Sequence, residues 1–342
     1  MLDSTPPADP TLELSDLTSG STTHTNSQQV NVTVGNDTGV SKWVISEAQS
    51  TQPAENSSLW GSEPITFTLS GGEGPKRVYI WVKDAAGNMN TGPVSATIIL
   101  DRVRPAVPTL ELTDQTTGST AYTNSRTVDV EVGNDIEAVA WLISETQSTS
   151  PGENDPRWGS EPTTFNLSAG DGSKTVYIWV KDAAGNISWP AEEDTIRLDT
   201  VPPDNPTLVL KDQTAHSTTY TNSTTVDVVV GNDDWVVAWL ISETQTTQPG
   251  ENDPRWGSEP TTFNLSAGDG LKRVYIWVKE AAGNINTGPV SATITLDTVP
   301  PADPTLVLSD RTSGNTSFTN SNIVNIEVGN DDEAVAWLIS ET

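Results

Sequence analysis

The sequence predicts an all-β chain built as a tandem array of two-sheet sandwiches. Three observations predict it. The chain repeats itself every 98 residues. Each repeat breaks into short segments of alternating apolar and polar residues, bounded by Gly, Pro, Asn and Asp. No segment carries a 3.6-residue apolar stripe of helical length. Composition agrees, since Thr, Ser, Val, Gly and Pro are abundant while Phe and Met number only 4 and 2.

The repeat is the strongest signal, and it is sought first because it sets the whole architecture. Val-Gly-Asn-Asp occurs at 34–37, 132–135, 230–233 and 328–331. Tyr-Ile-Trp-Val-Lys recurs at 79–83, 177–181 and 275–279, and Leu-Asp marks a seam at 2–3, 100–101, 198–199 and 296–297. The 342 residues are therefore three units of 98 followed by 48 more. Residues 151–172 are identical to 249–270, as expected of duplication within one gene. The expected domains are 9–101, 107–199, 205–297 and a truncated fourth repeat at 303–342, with 1–8 closing a preceding repeat. This phase reads as a segment of a longer repetitive protein, with no signal peptide in it. The half unit is expected to hold three strands, too few to close a two-sheet core, and to be frayed or swapped.

The second unit shows each element in order. Thr109–Thr113 follows the Pro-containing seam as the first strand. Thr127–Val132 alternates, with Val128, Val130 and Val132 on one face and Asp129 and Glu131 on the other. Gly133-Asn134-Asp135 then breaks the strand, because Gly and Asn accept positive φ. Ala138–Ser144 is the next strand, and either Trp141 and Ile143 or Ala140 and Leu142 face the core. A long connection rich in Pro, Gly and acid runs from Glu145 to Pro162. Thr163–Leu167, Thr175–Lys181 and Thr195–Leu198 complete the set. Six or seven strands in 98 residues have the size and rhythm of an immunoglobulin-like or fibronectin-III-like sandwich, so the fold class is a bead-on-string rod of such domains.

Period two puts Val176, Ile178 and Val180 inward, opposite Val128, Val130 and Val132. Tyr177, Trp179 and Lys181 then lie on the outer face of their sheet. One reading folds the 145–162 connection back over these aromatics as a lid, with Arg157 and Trp158 packing down. The other leaves Tyr177, Trp179 and Trp158 open as a sugar-stacking platform or a contact for another chain.

Residues 167–186 (Leu-Ser-Ala-Gly-Asp-Gly-Ser-Lys-Thr-Val-Tyr-Ile-Trp-Val-Lys-Asp-Ala-Ala-Gly-Asn), followed by Leu-Asp-Thr-Val-Pro-Pro at 198–203, carry a family resemblance. They resemble the tandem bacterial Ig-like repeats of large surface adhesins and secreted proteins, and the resemblance spans essentially the whole chain. It implies stalk modules that hold a terminal functional domain away from the cell, some binding calcium at their seams. It also implies a cell-surface or extracellular location, and sandwiches closed without a disulfide, in accord with the absence of Cys. The implied partners are neighbouring repeats of the same chain, and a host, surface or polysaccharide ligand reached through regions outside this segment. The rival implication is a carbohydrate-binding or spacer module of an extracellular polysaccharide-active enzyme.

The candidate chemistry is sparse. The seam Leu198-Asp199-Thr200-Val201-Pro202-Pro203-Asp204-Asn205-Pro206 is stiffened by its prolines, which makes a spacer the primary reading. Calcium requires about six to eight oxygens. Candidate ligands are Asp135, Asp182, Asn186 and Asp199 in the second unit, Asp37, Asp84, Asn88 and Asp101 in the first, and Asp233, Asn284 and Asp297 in the third. The competing reading is that these residues cap turns through their own backbone. Glu280 replaces the turn Asp in one unit, and no run has the spacing of an EF-hand or nonapeptide calcium repeat.

Several classes are excluded. Lys and Arg total 17 against 46 Asp and Glu, a net charge of −29 that repels nucleic acid and anionic membranes. Without Cys there is no thiolate metal site or Cys nucleophile. His24 stands where other units have Tyr122, Tyr220 and Phe318, and His216 stands where the second has Gly118, so neither marks catalysis. No apolar run approaches the ~20 residues of a membrane span, and no acid pair is marked for burial, so the chain is read as no enzyme.

Overall fold

The computed structural model describes residues 3–341 and contains strands, turns and no helix among them. No helix there is long and apolar enough to cross a membrane. The chain divides into two compact units, one holding Met1–Val201 with Ala282–Asn284, the other holding Pro202–Ala281 with Ile285–Thr342.

In the first unit, the first repeat runs β1 (Thr11–Asp16), β2 (His24–Thr25), β3 (Gln29–Gly35), β4 (Val40–Ser46), β5 (Thr66–Thr68), β6 (Gly74–Asp84) and β7 (Val94–Leu100). One sheet has the order β1-β3-β5 and the other β2-β7-β6-β4. All pairs are antiparallel except β2 with β7, which is parallel. The second repeat reproduces this as β8 (Thr109–Asp114), β9 (Tyr122–Thr123), β10 (Thr127–Gly133), β11 (Ala140–Ser144), β12 (Thr164–Asn166), β13 (Gly172–Lys181) and β14 (Glu192–Leu198). The sequence places six of these within a few residues. It misses β9, because two residues are too few to show a period. Strand β9 exists because the chain leaves one sheet at Asp114, turns, and joins the other beside β14.

The core follows the alternation. Leu112, Val128, Leu167, Val176, Ile178 and Ile196 are fully buried between the two sheets, with Trp141 and Ile143 packed against them. That settles β11: Trp141 and Ile143 face the inner core. Leu142 pairs with Trp179 on the opposite face and is nonetheless buried, so the strand is covered on both sides. Val180 is buried as expected but lies outside the inner cluster.

In the second unit, β15 (Thr207–Asp212), β16 (Tyr220–Thr221), β17 (Thr225–Gly231), β18 (Val236–Ser242), β19 (Thr262–Asn264), β20 (Gly270–Glu280) and β21 (Val290–Leu296) form the same pair of sheets. Beyond them lie β22 (Thr305–Asp310) and β23 (Val324–Gly329), paired as a two-stranded ribbon. The half unit thus holds two strands where the sequence predicts three. The segment expected as its third strand has Val335 and Leu338 almost fully exposed, since the strand it pairs with in the other repeats has no counterpart among the described residues.

Candidate functional site

The outer face of β13 is closed by the 145–162 connection. Trp179 is fully buried there and donates from Nε1 to the Gln147 carbonyl at 2.8 Å. Gly159 bridges back to Trp141, with N–H···O bonds of 2.9 and 3.0 Å in the two directions. Lys181 Nζ donates to the Glu153 carbonyl at 2.7 Å and sits 4.9 Å from the Trp158 ring centroid. Trp158 Nε1 in turn donates to the Gly152 carbonyl at 2.9 Å, which pins the loop to itself. The first and third repeats copy the arrangement. Trp81 bonds Gln49 and Lys83 lies over Trp60; Trp277 bonds Gln245 and Lys279 lies over Trp256.

The lid reading is therefore correct for Trp179, and an open Tyr177–Trp179–Trp158 platform is absent. A stacking surface needs accessible ring faces, and Trp179 has none. Arg157 does not pack down. It stays exposed and pairs with Asp155 at 2.7 Å, and its guanidinium holds the Asp155 carboxyl down to about 2.

At the seam of the first two repeats, Asp182 Oδ1 accepts from the Ala184 and Asn186 amides, each at 2.9 Å. Asn186 Nδ2 donates both to Asp182 Oδ2 and to the carbonyl of Asp101, each at 2.9 Å. The first repeat shows the same turn: Asp84 accepts from Ala86 and Asn88, and the Asn88 bond leads the interactions that hold its carboxyl below the usual range. Asn284 makes the matching bond to the Asp199 carbonyl at 2.7 Å, both residues falling in the first unit. The lid loop reaches the same seam, where Asn154 Nδ2 donates to the Thr18 carbonyl at 2.9 Å and Asn26 Nδ2 to Glu153 Oε2 at 3.4 Å. Burial, followed by repulsion from Asp16 and Asp182, raises Glu153 against the opposing Asn26 bond and Lys181 charge. Gly185, at φ +96°, lets the turn lie on Glu153, because a Cβ there would collide with its carboxylate.

The expected calcium ligands do not gather as one set. Asn186 meets the preceding seam residue, Asp101, through its backbone, while Asp199 caps its own turn by accepting from the Val201 amide at 3.1 Å. Asp101 and Asp297 cap likewise, accepting from Val103 and Val299. Asp135, Asp233 and Asp331 accept from the indoles of Trp141, Trp239 and Trp337. Asp37 makes no such bond, and the Trp43 Nε1 opposite it is buried without a partner. Among the described residues no three acidic or His side chains form a group able to hold a metal ion. Protein N–H groups occupy both carboxylate oxygens of Asp84 and Asp182, as the turn-capping reading has it.

The sequence reading missed a buried carboxylate at the end of the first strand. Asp16, Asp114, Asp212 and Asp310 are each at most 4% exposed. Asp114 Oδ1 accepts from the Thr116 amide and from the Thr117 amide and hydroxyl, at 3.0, 2.8 and 2.9 Å. Its Oδ2 accepts from Thr123 Oγ1 at 2.6 Å. Burial pushes this carboxyl up, but the Thr123 and Thr117 bonds outweigh it and hold it below the ordinary range. The legible signal is Asp followed nine residues later by Thr, in all four units.

No family model and no curated protein matches the chain. Solved structures similar to it include the Escherichia coli adhesin FdeC, at 13% identity over 84% of this chain and 97% of that one, with a TM-score of 0.36. Fibronectin(III)-like modules of Clostridium thermocellum CbhA match at 13% identity over 55% and 92%, with a TM-score of 0.31. A tetra-tandem repeat from the extending region of a large adhesion protein matches at 14% identity over 93% and 87%, with a TM-score of 0.22. At these identities and scores the likeness carries no argument about function. The sheet order and core, on their own, make the chain a tandem array of Ig-like β-sandwiches.

Proposed function

We propose that the chain is a structural spacer, a stalk segment of a bacterial surface or secreted adhesin that holds a functional domain away from its anchor. The observation that carries the reading is the bonded seam. Asn186 and Asn154 of the second repeat donate to backbone carbonyls of Asp101 and Thr18, which braces the Pro-containing linker instead of leaving it free. The domain limits are 9–101, 107–199, 205–297 and 303–342, and the segment works outside the cell with no catalytic role. Its net charge of −29 is spread over all units, so neighbouring repeats repel and extension is favoured.

Small-angle X-ray scattering on wild type and an Asn154→Ala/Asn186→Ala pair tests this. A spacer gives an extended maximum dimension in wild type and a broadened distance distribution in the double variant. A compact wild-type envelope, or no change in the variant, refutes it. Calcium enters only through the test: melting with chelator and with millimolar calcium is expected to coincide, and a calcium-dependent rise would restore the metal to the seam.

A further inference from the structure

The second repeat departs from both its neighbours in one short stretch. Residues 188–194 read Ser-Trp-Pro-Ala-Glu-Glu-Asp, where the first and third repeats both read Asn-Thr-Gly-Pro-Val-Ser-Ala. The change brings in an indole and three acids together. Asp194 is taken up by the fold, since its Oδ2 accepts from the Leu112 amide at 2.8 Å, and Glu192 pairs with Ile178 on the core side of β14. Trp189 and Glu193 are left outside. Trp189 is 58% exposed. Glu193 is exposed and belongs to none of the ion pairs among the described residues.

The first repeat shows what this place holds elsewhere. On the outer face of β6 and β7, Arg77 lies 5.5 Å over the Tyr79 ring and donates from Nε and Nη2 to Ser95 Oγ at 3.1 and 3.0 Å. Arg273 bonds Ser291 in the third repeat, also at 3.1 Å. In the second repeat the tyrosine stays, as Tyr177, but Thr175 stands in place of the arginine and Glu193 in place of its serine partner. Thr175 is too short to cover the ring, and its hydroxyl is bonded to that of Thr195 at 2.9 Å. Tyr177 and Glu193 are direct cross-strand partners and so share the outer face. Trp189 leans on that face too, its ring centroid 5.9 Å from that of the fully buried Trp179, which props it. The second repeat has thus lost the cation of this face and gained a carboxylate and an open indole, the two groups that attract one.

We propose that the outer face of β13 and β14 receives an arginine side chain presented by a second protein. The guanidinium lies over Tyr177 as Arg77 lies over Tyr79, donates to Glu193 as Arg77 donates to Ser95, and is flanked by Trp189. Arginine suits the place better than lysine, because its planar fork stacks on a ring while giving two N–H groups to one carboxylate. Long-range charge favours such a partner, since residues 101–198 carry 16 acidic side chains against 7 basic.

The test titrates the full chain, isotope-labelled at its tryptophan nitrogens, with the peptide acetyl-Gly-Arg-Gly-amide and follows the indole N–H signals by NMR. The expected result is a saturable shift of the Trp189 signal, with affinity about threefold or more weaker for the matching lysine peptide. Glu193→Ser, which removes the anion, and Thr175→Arg, which fills the place from within the chain, should each weaken binding about fivefold or more. Both introduce the residue that the first and third repeats already carry there, so the sandwich accommodates them. The absence of a saturable shift at Trp189, an equal response to the lysine peptide, or undiminished binding in either variant overturns the proposal. An equal shift at Trp235, which is exposed beside Asp234, would show diffuse attraction of cations and overturns it as well. So does a Trp189 shift produced by cellotetraose and not by the arginine peptide, which would make the face a sugar-stacking one.

Discussion

Removing the Asp114 carboxylate should unlock the corner where the chain passes from β8 to β9. Four hydrogen bonds converge on this side chain, which is only 2% exposed. In Asp114→Ala the Thr123 hydroxyl loses its charged acceptor and keeps the Ser125 carbonyl at 3.1 Å, a loss of about 1.5 kcal/mol. The Thr116 amide and the two Thr117 donors are partly reachable by water, so each loses about 0.5–1 kcal/mol. The total is about 3–4.5 kcal/mol. Hydrogen exchange of Thr109–Gly133 in the full chain reads it as acceleration by roughly two to three orders of magnitude at neutral pH. Asp114→Asn keeps one acceptor oxygen and should lose about half as much. The pH dependence has a definite sign. A carboxyl held below its unfolded value of about 3.9 contributes stability that is present above that pH and is lost as pH falls through the folded value. Wild type should therefore lose protection here below about pH 4, and Asp114→Asn should be flatter over that range. Acceleration of less than threefold in Asp114→Ala, or equal acid profiles in wild type and Asp114→Asn, would refute the reasoning.

Trp179→Ala removes the side chain beneath the lid and should cost about 3–5 kcal/mol; limited proteolysis is expected to cut within 145–162, and a lid as resistant as wild type would contradict the packing. His216 adopts φ +53° where Gly118 has φ +69°. His216→Gly is therefore expected to stabilise its repeat by about 0.5–1 kcal/mol, the left-handed strain outweighing the added chain entropy, as measured by the melting transition of the third repeat. Gly185→Ala should displace Glu153 and loosen the first seam, read as faster exchange around Thr18. Glu153 responds to acid in the opposite sense to Asp114: its raised folded value means the destabilisation felt at neutral pH is relieved as pH falls through it. Corrected for the base-catalysed intrinsic rate, protection around Thr18 should consequently rise as pH falls from neutral in wild type and stay level in Glu153→Gln.

Much of each sandwich is legible in the chain. The Val128–Val130 alternation names both the strand and its buried face, and the 98-residue period carries that reading to every unit. The candidate site is less legible. Asp182 and Asn186 are correctly placed in one turn, yet their seam partner is Asp101, at the end of the preceding unit, and not Asp199 at the end of their own. Period says which residues are equivalent, not which end of a sandwich they occupy. The sequence reading packs Arg157 down together with Trp158, whereas its guanidinium stays exposed between Asp155 and Gln147.

The sequence by itself determined the repeat, the all-β class, the inward face of the long strands and the turns, because each rests on short-range periodicity or on what Gly, Asn and Pro permit locally. Tertiary structure alone decided the contacts between distant positions. It set Trp179 under the lid on the face opposite the main core, made β9 a parallel addition to β14, and buried Asp114 against Thr123. A residue's own pattern cannot reveal these, since the free energy of burying an indole or a carboxylate depends on which donors and surfaces the fold brings to meet it.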